Sequence, residues 1–262
     1  MFQSPGDIAF SIFGFPVYFY GITMALAILV GVYTAYLLYK NIYGDRDAGL
    51  IIDFSPYLII LGIVGARLYY CLVNFSYYSL KPLEILDIRQ GGLSIHGMII
   101  IGVVCLWIFS KFYKIQFLKL FDVFMCGTAL GQSIGRWGNF FNSEAFGYPT
   151  NLPWKLFIPP DSRPLHYMNY QYFHPTFLYE SILDFCIFVI LFLLLKKFSD
   201  KPGLTACFYL ILYSIVRIFV EQLRIDSVLN IEGLPVAQIV SILLIFIGIV
   251  CAGLLIAKYL RD

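Results

Sequence analysis

Residues 235–257 read PVAQIVSILLIFIGIVCAGLLIA, without one charged side chain. A helix crossing about 30 Å of hydrocarbon needs about 20 such residues, so this stretch spans a bilayer. Working outward, six more segments qualify, at roughly 16–39, 50–73, 92–113, 117–137, 175–195 and 203–223. The fourth is the least apolar, and its end runs into polar sequence. Composition agrees: 60% of the 262 residues are hydrophobic and 13% are charged, where soluble domains hold about 25% charged residues. A formal charge of +2, with 18 basic against 16 acidic residues and no like-charged block, excludes nucleic-acid binding. The 25 Phe and 20 Tyr exclude a disordered chain. The reading is an all-α polytopic membrane protein of seven transmembrane helices.

One set of connections carries Lys40, Arg46, Lys111, Lys114, Lys119, Lys196, Lys197, Lys201, Lys258 and Arg261; the other carries Lys81, Arg89, Lys155 and Arg163. The positive-inside rule then puts the N-terminus outside and the C-terminus in the cytoplasm. The start of the chain has no basic n-region, so no cleavable signal peptide is expected. Residues 1–262 read as one integral membrane domain without internal repeats. Within it, residues 142–174, with Pro149, Pro153, Pro159, Pro160 and Pro164 among several aromatics, form an extracytoplasmic head or loop segment. The six cysteines (Cys71, Cys105, Cys126, Cys186, Cys207 and Cys251) lie in apolar runs without a CxxC, which points to packing, with no metal, no cofactor and no redox chemistry.

Arg67, Arg136, Arg217 and Arg224 fall in or at the ends of spans. An ionised side chain near the bilayer centre costs at least about 2.5–3.5 kcal/mol, so each needs a compensating reason. By the orientation above all four sit toward the outer face, at the level of Tyr20 in the first span and His96 in the third. In the sixth span Tyr213, Arg217, Glu221 and Arg224, spaced by four, four and three, share one helix stripe. Arg217 pairs with Glu221 at i,i+4. One Glu cannot neutralise two arginines, and the surplus charge asks for an anion, which at this depth is a lipid phosphate. Gly127, Gly131 and Gly135 recur every four positions, a spacing for close helix packing. From Gly135 to Gly147 the chain reads GRWGNFFNSEAFG, a polar turn tolerable at a span's end only around a cavity. His174, Glu180 and Asp184 read as structural hydrogen-bonding groups, and Asp53 and Asp122 as caps at span ends.

That stretch closely resembles the Gly-Arg-x-Gly-Asn-Phe-x-Asn-x-Glu-x-x-Gly signature of the bacterial prolipoprotein diacylglyceryl transferases. The resemblance continues through Tyr20-Gly21, Gly65-Ala66-Arg67, Gly91-Gly92-Leu93-Ser94-Ile95-His96-Gly97, His174-Pro175-Thr176-Phe177-Leu178-Tyr179-Glu180 and the sixth-span stripe. Departures flank these motifs: Met98 and Phe177 replace a customary Gly and Gln, Arg224-Ile225-Asp226 lacks a Pro, and Pro235 and Ala237 leave a Thr-x-Gly-Gln pattern. The resemblance implies an enzyme of the bacterial cytoplasmic (inner) membrane that moves the diacylglyceryl group of phosphatidylglycerol to the lipobox cysteine of a prolipoprotein. It implies an essential group of Tyr20, His96, Arg136, Asn139, Glu144, Gly147, Arg217 and Glu221. A thiol near pKa 8.5 profits from a base, for which His96 is the expected group. Arg136 and Arg217 are then expected to hold the departing phosphate. Asn139 and Tyr20 would orient the head group and Glu144 and Glu221 the arginines, while Gly147 would allow close backbone approach or a positive φ. Arg67, Asn142, Tyr213 and Arg224 are expected to line the same substrate site. A transporter would carry polar groups through the full membrane depth, and a serine hydrolase of the Gly-x-Ser-x-Gly type is absent.

Overall fold

The structure, a computed structural model, describes residues 2–88, 91–225, 230–231 and 234–261. Arg89 and Asp226, used in the sequence reading, lie outside the described residues. The chain is mostly helical. Its long helices are α1 (Phe19–Tyr43), α2 (Gly49–Val73), α4 (Ile95–Phe112), α5 (Phe117–Phe141), α6 (Thr176–Lys197), α7 (Leu204–Glu221) and α8 (Val236–Tyr259), with the one-turn α3 (Phe75–Tyr78) after α2. Six of them, α1, α2, α4, α6, α7 and α8, are long and apolar enough to cross a membrane. They present large exposed apolar side chains, such as Phe246, Leu254 and Phe219, that in water would be a liability and in lipid face the acyl chains. The fourth expected span is α5. Its 25 residues reach about 37 Å, but Lys119, Asp122, Gln132, Arg136 and Asn139 leave it less apolar than the rest.

Short strands accompany the helices at the N-terminus and in the 142–174 segment. Strands β2 (Ile8–Ile12) and β3 (Phe15–Tyr18) form an antiparallel hairpin whose second strand overlaps the expected start of the first span at residue 16. Its two-residue turn, Phe13 and Gly14, takes positive φ at both positions (50° and 85°), the conformation that matches strand twist. β1 (Phe2–Gln3), β4 (Leu156–Phe157) and β5 (Tyr172–Phe173) make a small three-stranded sheet in the order β1-β4-β5. Two further strands, β6 (Asn230–Ile231) and β7 (Leu234–Pro235), pair just before α8. Short alternating strands inside aromatic-rich sequence carry no helical periodicity to contradict a span, which is why they were not visible as strands.

The chain divides into two compact units, residues Met1–Ala35 with Asp122–Asp262, and residues Tyr36–Phe121. In the first, α1 and α5 cross on small residues. A Cβ on Gly31 would lie 2.9 Å from the Gly127 carbonyl oxygen, and one on Gly131 would lie 3.0 Å from that of Ala27. This is the packing that the four-residue glycine spacing predicted. The head segment is fastened by an aromatic core of Phe140, Phe146, Leu156, Ile158, Phe173 and Phe177, on which Phe2 stacks. Asp122, near the start of α5, caps a different helix from its own. Its carboxylate accepts the Gly203 and Ala206 N–H groups at 2.6 and 2.7 Å, at the start of α7. In the second unit α2 and α4 meet through Gly65 and Gly97, each filling the space where the other would need a Cβ.

Candidate active site

The first unit gathers three arginines around one carboxylate. Glu180, in the second turn of α6, places Oε2 at 2.5 Å from Arg136 Nε of α5. Its Oε1 accepts from Arg217 Nη1 of α7 at 3.1 Å and faces Arg224 Nη1, just past the end of α7, at 3.6 Å. Arg217 turns its other edge to Glu221 at 2.6 Å, the i,i+4 pair expected from sequence. Asp184, one turn beyond Glu180, lies 3.8 Å from Arg136 Nε. The carboxylates keep only 1–4% of their side-chain surface, whereas Arg136, Arg217 and Arg224 keep 14–20%, so the acids stand behind and the guanidinium groups in front. Tyr213 stacks on Tyr209, whose hydroxyl donates to Gln132 at 3.0 Å, and both rings lie within electrostatic reach of Arg136.

This arrangement revises one step of the sequence argument. The surplus positive charge inferred from Arg217, Glu221 and Arg224 alone is reduced, because Glu180 reaches all three arginines. With Arg136, Glu180 and Asp184 included, three arginines meet three carboxylates. The missing partners come from another helix, out of reach of any single-span reading.

In the same unit a cavity of about 710 Å³ is lined by Tyr20, Asn142 and Glu144, together with Asp7 and Tyr18 of the N-terminal segment and Ser162. The signature does not break at Gly135 as expected. Arg136, Trp137, Gly138 and Asn139 are still helical, and the irregular turn begins after Phe141. There Ser143 and Ala145 both hold left-handed φ (52° and 54°), a costly backbone for residues with a Cβ, on either side of Glu144. Asn139 and Asn142 donate side-chain N–H groups to Glu144 Oε1 at 2.9 and 3.4 Å, and the Glu144 N–H donates to the Asn139 carbonyl at 3.0 Å. Glu144 is therefore aimed by two asparagines, with no ion pair to an arginine among the described residues. Tyr20 lies within electrostatic reach of both Glu144 and Arg136, which ties the cavity to the arginine cluster. The Thr176 hydroxyl donates to the Ala145 carbonyl and locks the turn to α6.

Gly147 serves by close approach, not by a positive φ. A Cβ there would lie 2.6 Å from the Leu223 carbonyl oxygen and 2.9 Å from His174 Cβ. Its N–H donates to the His174 carbonyl at 2.9 Å, and it bridges in antiparallel fashion to Arg224. The last residue of the signature thus positions the last arginine of the cluster. The Nδ1 of His174 faces the Tyr179 hydroxyl at 3.2 Å, the structural bonding read for it.

His96 and Arg67 belong to the second unit. His96 is exposed in the first turn of α4, with Nδ1 3.4 Å from Ser94 Oγ and its ring 5.9 Å from that of Tyr69. Arg67 is 7% exposed, and its N–H groups are spent on the chain itself. Nε donates to the Ile85 carbonyl, Nη1 to those of Gly91 and Gly92, and Nη2 to those of Glu84 and Asp87, at 2.5–3.1 Å. A guanidinium has five N–H donors, and here five carbonyls take them. Arg67, expected from sequence to line the substrate site, holds the backbone at Glu84, Ile85, Asp87, Gly91 and Gly92, ahead of His96 in the chain.

Residues 7–254 match the family described as prolipoprotein diacylglyceryl transferase. The chain is 45% identical over 242 residues to a phosphatidylglycerol–prolipoprotein diacylglyceryl transferase of Synechococcus sp., covering 90% of this chain and 85% of the relative. The so-named protein of Synechocystis sp. is 44% identical over 252 residues (94% and 88% covered), and that of Acaryochloris marina 45% over 251 residues (95% and 90%). The chain belongs to the prolipoprotein diacylglyceryl transferase family.

For this family member, the residues expected from sequence fall into three sets. Arg136, Arg217, Glu221 and Arg224 form the ionic cluster with Tyr213 beside it and Gly147 bridged to Arg224, while Tyr20, Asn142 and Glu144 line the cavity with Asn139 supporting Glu144. His96 and Arg67 lie in the other unit. Sequence reasoning missed Glu180 and Asp184 as members of the site, and missed Asp7 entirely. A signal existed for the first two: an acidic i,i+4 pair inside a span carries the same desolvation cost that singled out the arginines.

Proposed function

We propose that this diacylglyceryl transferase joins the sulfur of a prolipoprotein's lipobox cysteine to the diacylglyceryl carbon that carries the phosphate ester in phosphatidylglycerol. The S–C bond forms as the C–O bond breaks, giving a thioether-linked lipid and glycerol phosphate. The single observation that carries this reading beyond family membership is the gathering of Arg136, Arg217 and Arg224 at one point, beside a cavity reached by Tyr20. Guanidinium groups remain charged when partly desolvated and match phosphate oxygens in pairs, so they stabilise the charge that develops on the departing phosphate. The cavity, lined among the described residues by carboxylate, amide and hydroxyl groups and by no Lys or Arg, suits the hydroxyls of the glycerol head group. His96 takes the thiol proton, as a neutral imidazole can near neutral pH.

The protein works in the bacterial cytoplasmic (inner) membrane as seven spans with α5 as the fourth. Its N-terminus and the 142–174 segment lie on the outer face, the C-terminus is cytoplasmic, and the site opens outward to membrane lipid. The distribution of Lys and Arg among the connections supports this orientation. The test is direct: incubate the purified protein with phosphatidylglycerol and a lipobox peptide, and weigh the peptide. A gain of one diacylglyceryl group on the cysteine is expected; an unchanged mass would end the proposal.

A further inference from the structure

Glu180 stands apart from the residues whose roles the chemistry above requires, yet it is the only group that touches all three arginines among the described residues. It is 3% exposed. Its two oxygens divide the work, Oε2 toward Arg136 and Oε1 toward Arg217 and Arg224, so one carboxylate ties α5, α6 and α7 together at a point where each arginine still keeps an open side. An ionic knot that merely glued helices would bury both partners. Here only the acids are buried.

Charge sets the second half of the argument. Glu180 and Glu221 already offset much of the cluster's positive charge before any ligand arrives, with Asp184 3.8 Å from Arg136. Three unopposed guanidinium groups would hold any phosphate tightly, whether substrate or product. Tight binding shared by ground state, transition state and product does not raise turnover. A cluster whose charge is largely offset and whose geometry is fixed spends its donors on the charge that appears as the C–O bond breaks.

Resting on the transferase reading above, we propose that Glu180 is a positioning residue: it orients Arg136 and Arg217 for the phosphate and, by neutralising them, weakens phosphate binding in the ground state and in the product complex. This role makes an unusual prediction of sign. Glu180→Gln keeps the shape and removes the charge, so turnover should fall by at least about tenfold, less than the loss of a direct donor. At the same time glycerol phosphate should inhibit the variant at several-fold lower concentration than the unaltered protein. A residue that only supports the fold would weaken both.

The experiment uses the full chain in lipid nanodiscs, with kcat and KM for phosphatidylglycerol, inhibition by glycerol phosphate, and the melting temperature with and without glycerol phosphate. Unchanged kcat, or inhibition that is unchanged or weaker in a protein of normal melting temperature, overturns the proposal. If Glu180→Gln does not fold, Glu180→Asp keeps the charge and shortens the side chain by one methylene. It is expected to fold, to turn over more slowly because the arginines are no longer held in place, and to show inhibition near that of the unaltered protein; an unchanged kcat overturns the proposal, and its failure to fold assigns Glu180 to packing and also overturns it. The two readings fail separately. Absence of transfer by the unaltered protein defeats the transferase reading, while the glycerol phosphate shift in melting temperature tests Glu180 without any turnover.

Discussion

At the scale of single residues, the site is made of side chains whose partners are spent or unspent, and this sorts them. Arg67 has given its donors to backbone carbonyls, so its substitution should act on stability. Arg67→Lys offers three donors in place of five and strands buried carbonyls. A loss of about 3 kcal/mol, read as a lower melting temperature, is expected, since each hydrogen bond to a charged group is worth about 1.5–3 kcal/mol. A raised KM for phosphatidylglycerol at unchanged melting temperature would return Arg67 to the substrate. Gly147→Ala should abolish transfer, because its Cβ would press on the Leu223 carbonyl next to Arg224, and backbone cannot give way as a flexible side chain can. His96→Gln replaces the imidazole by an amide that cannot take up a proton. Transfer should fall and its pH profile should flatten, whereas an unchanged profile with retained activity would remove His96 from the proton transfer.

At the scale of elements, two devices hold the first unit, and each was half legible. The Gly127, Gly131, Gly135 spacing announced a close crossing, but its partner, the Ala27–Gly31 stretch of α1, came only with the structure. Gly31→Ile should force the helices apart against the Gly127 carbonyl at about 1–3 kcal/mol, seen as a lowered melting temperature. Asp122 was expected to cap a span end, and it does so for α7 rather than for its own helix. Asp122→Ala should cost about 1–2 kcal/mol, the usual value of a lost N-terminal cap, and Asp122→Asn somewhat less. The N-terminal hairpin and the small β1-β4-β5 sheet were invisible in the sequence. Strands of two to five residues give too few alternations to stand out from surrounding Phe, Tyr and Ile.

At the scale of the whole molecule, the proposed seven-span arrangement predicts where the ends lie. A fluorescent protein fused after Asp262 should fluoresce in the cytoplasm, and an alkaline phosphatase fused there should stay inactive; the reverse pattern would invert the orientation. The sequence alone determined that the chain lives in a bilayer, roughly where its apolar helices run, and which family it joins. These follow from local quantities: hydropathy over about 20 residues, and motifs contiguous along the chain. What the tertiary structure decided is who pairs with whom. Glu180 neutralising arginines from two other elements, Asn139 and Asn142 aiming Glu144, and Arg67 spending its donors on a loop are each contacts between distant or oppositely directed segments. Hydropathy and spacing measure one helix at a time, whereas electrostatic balance is a sum over every charge within a few ångströms, wherever in the chain it originates.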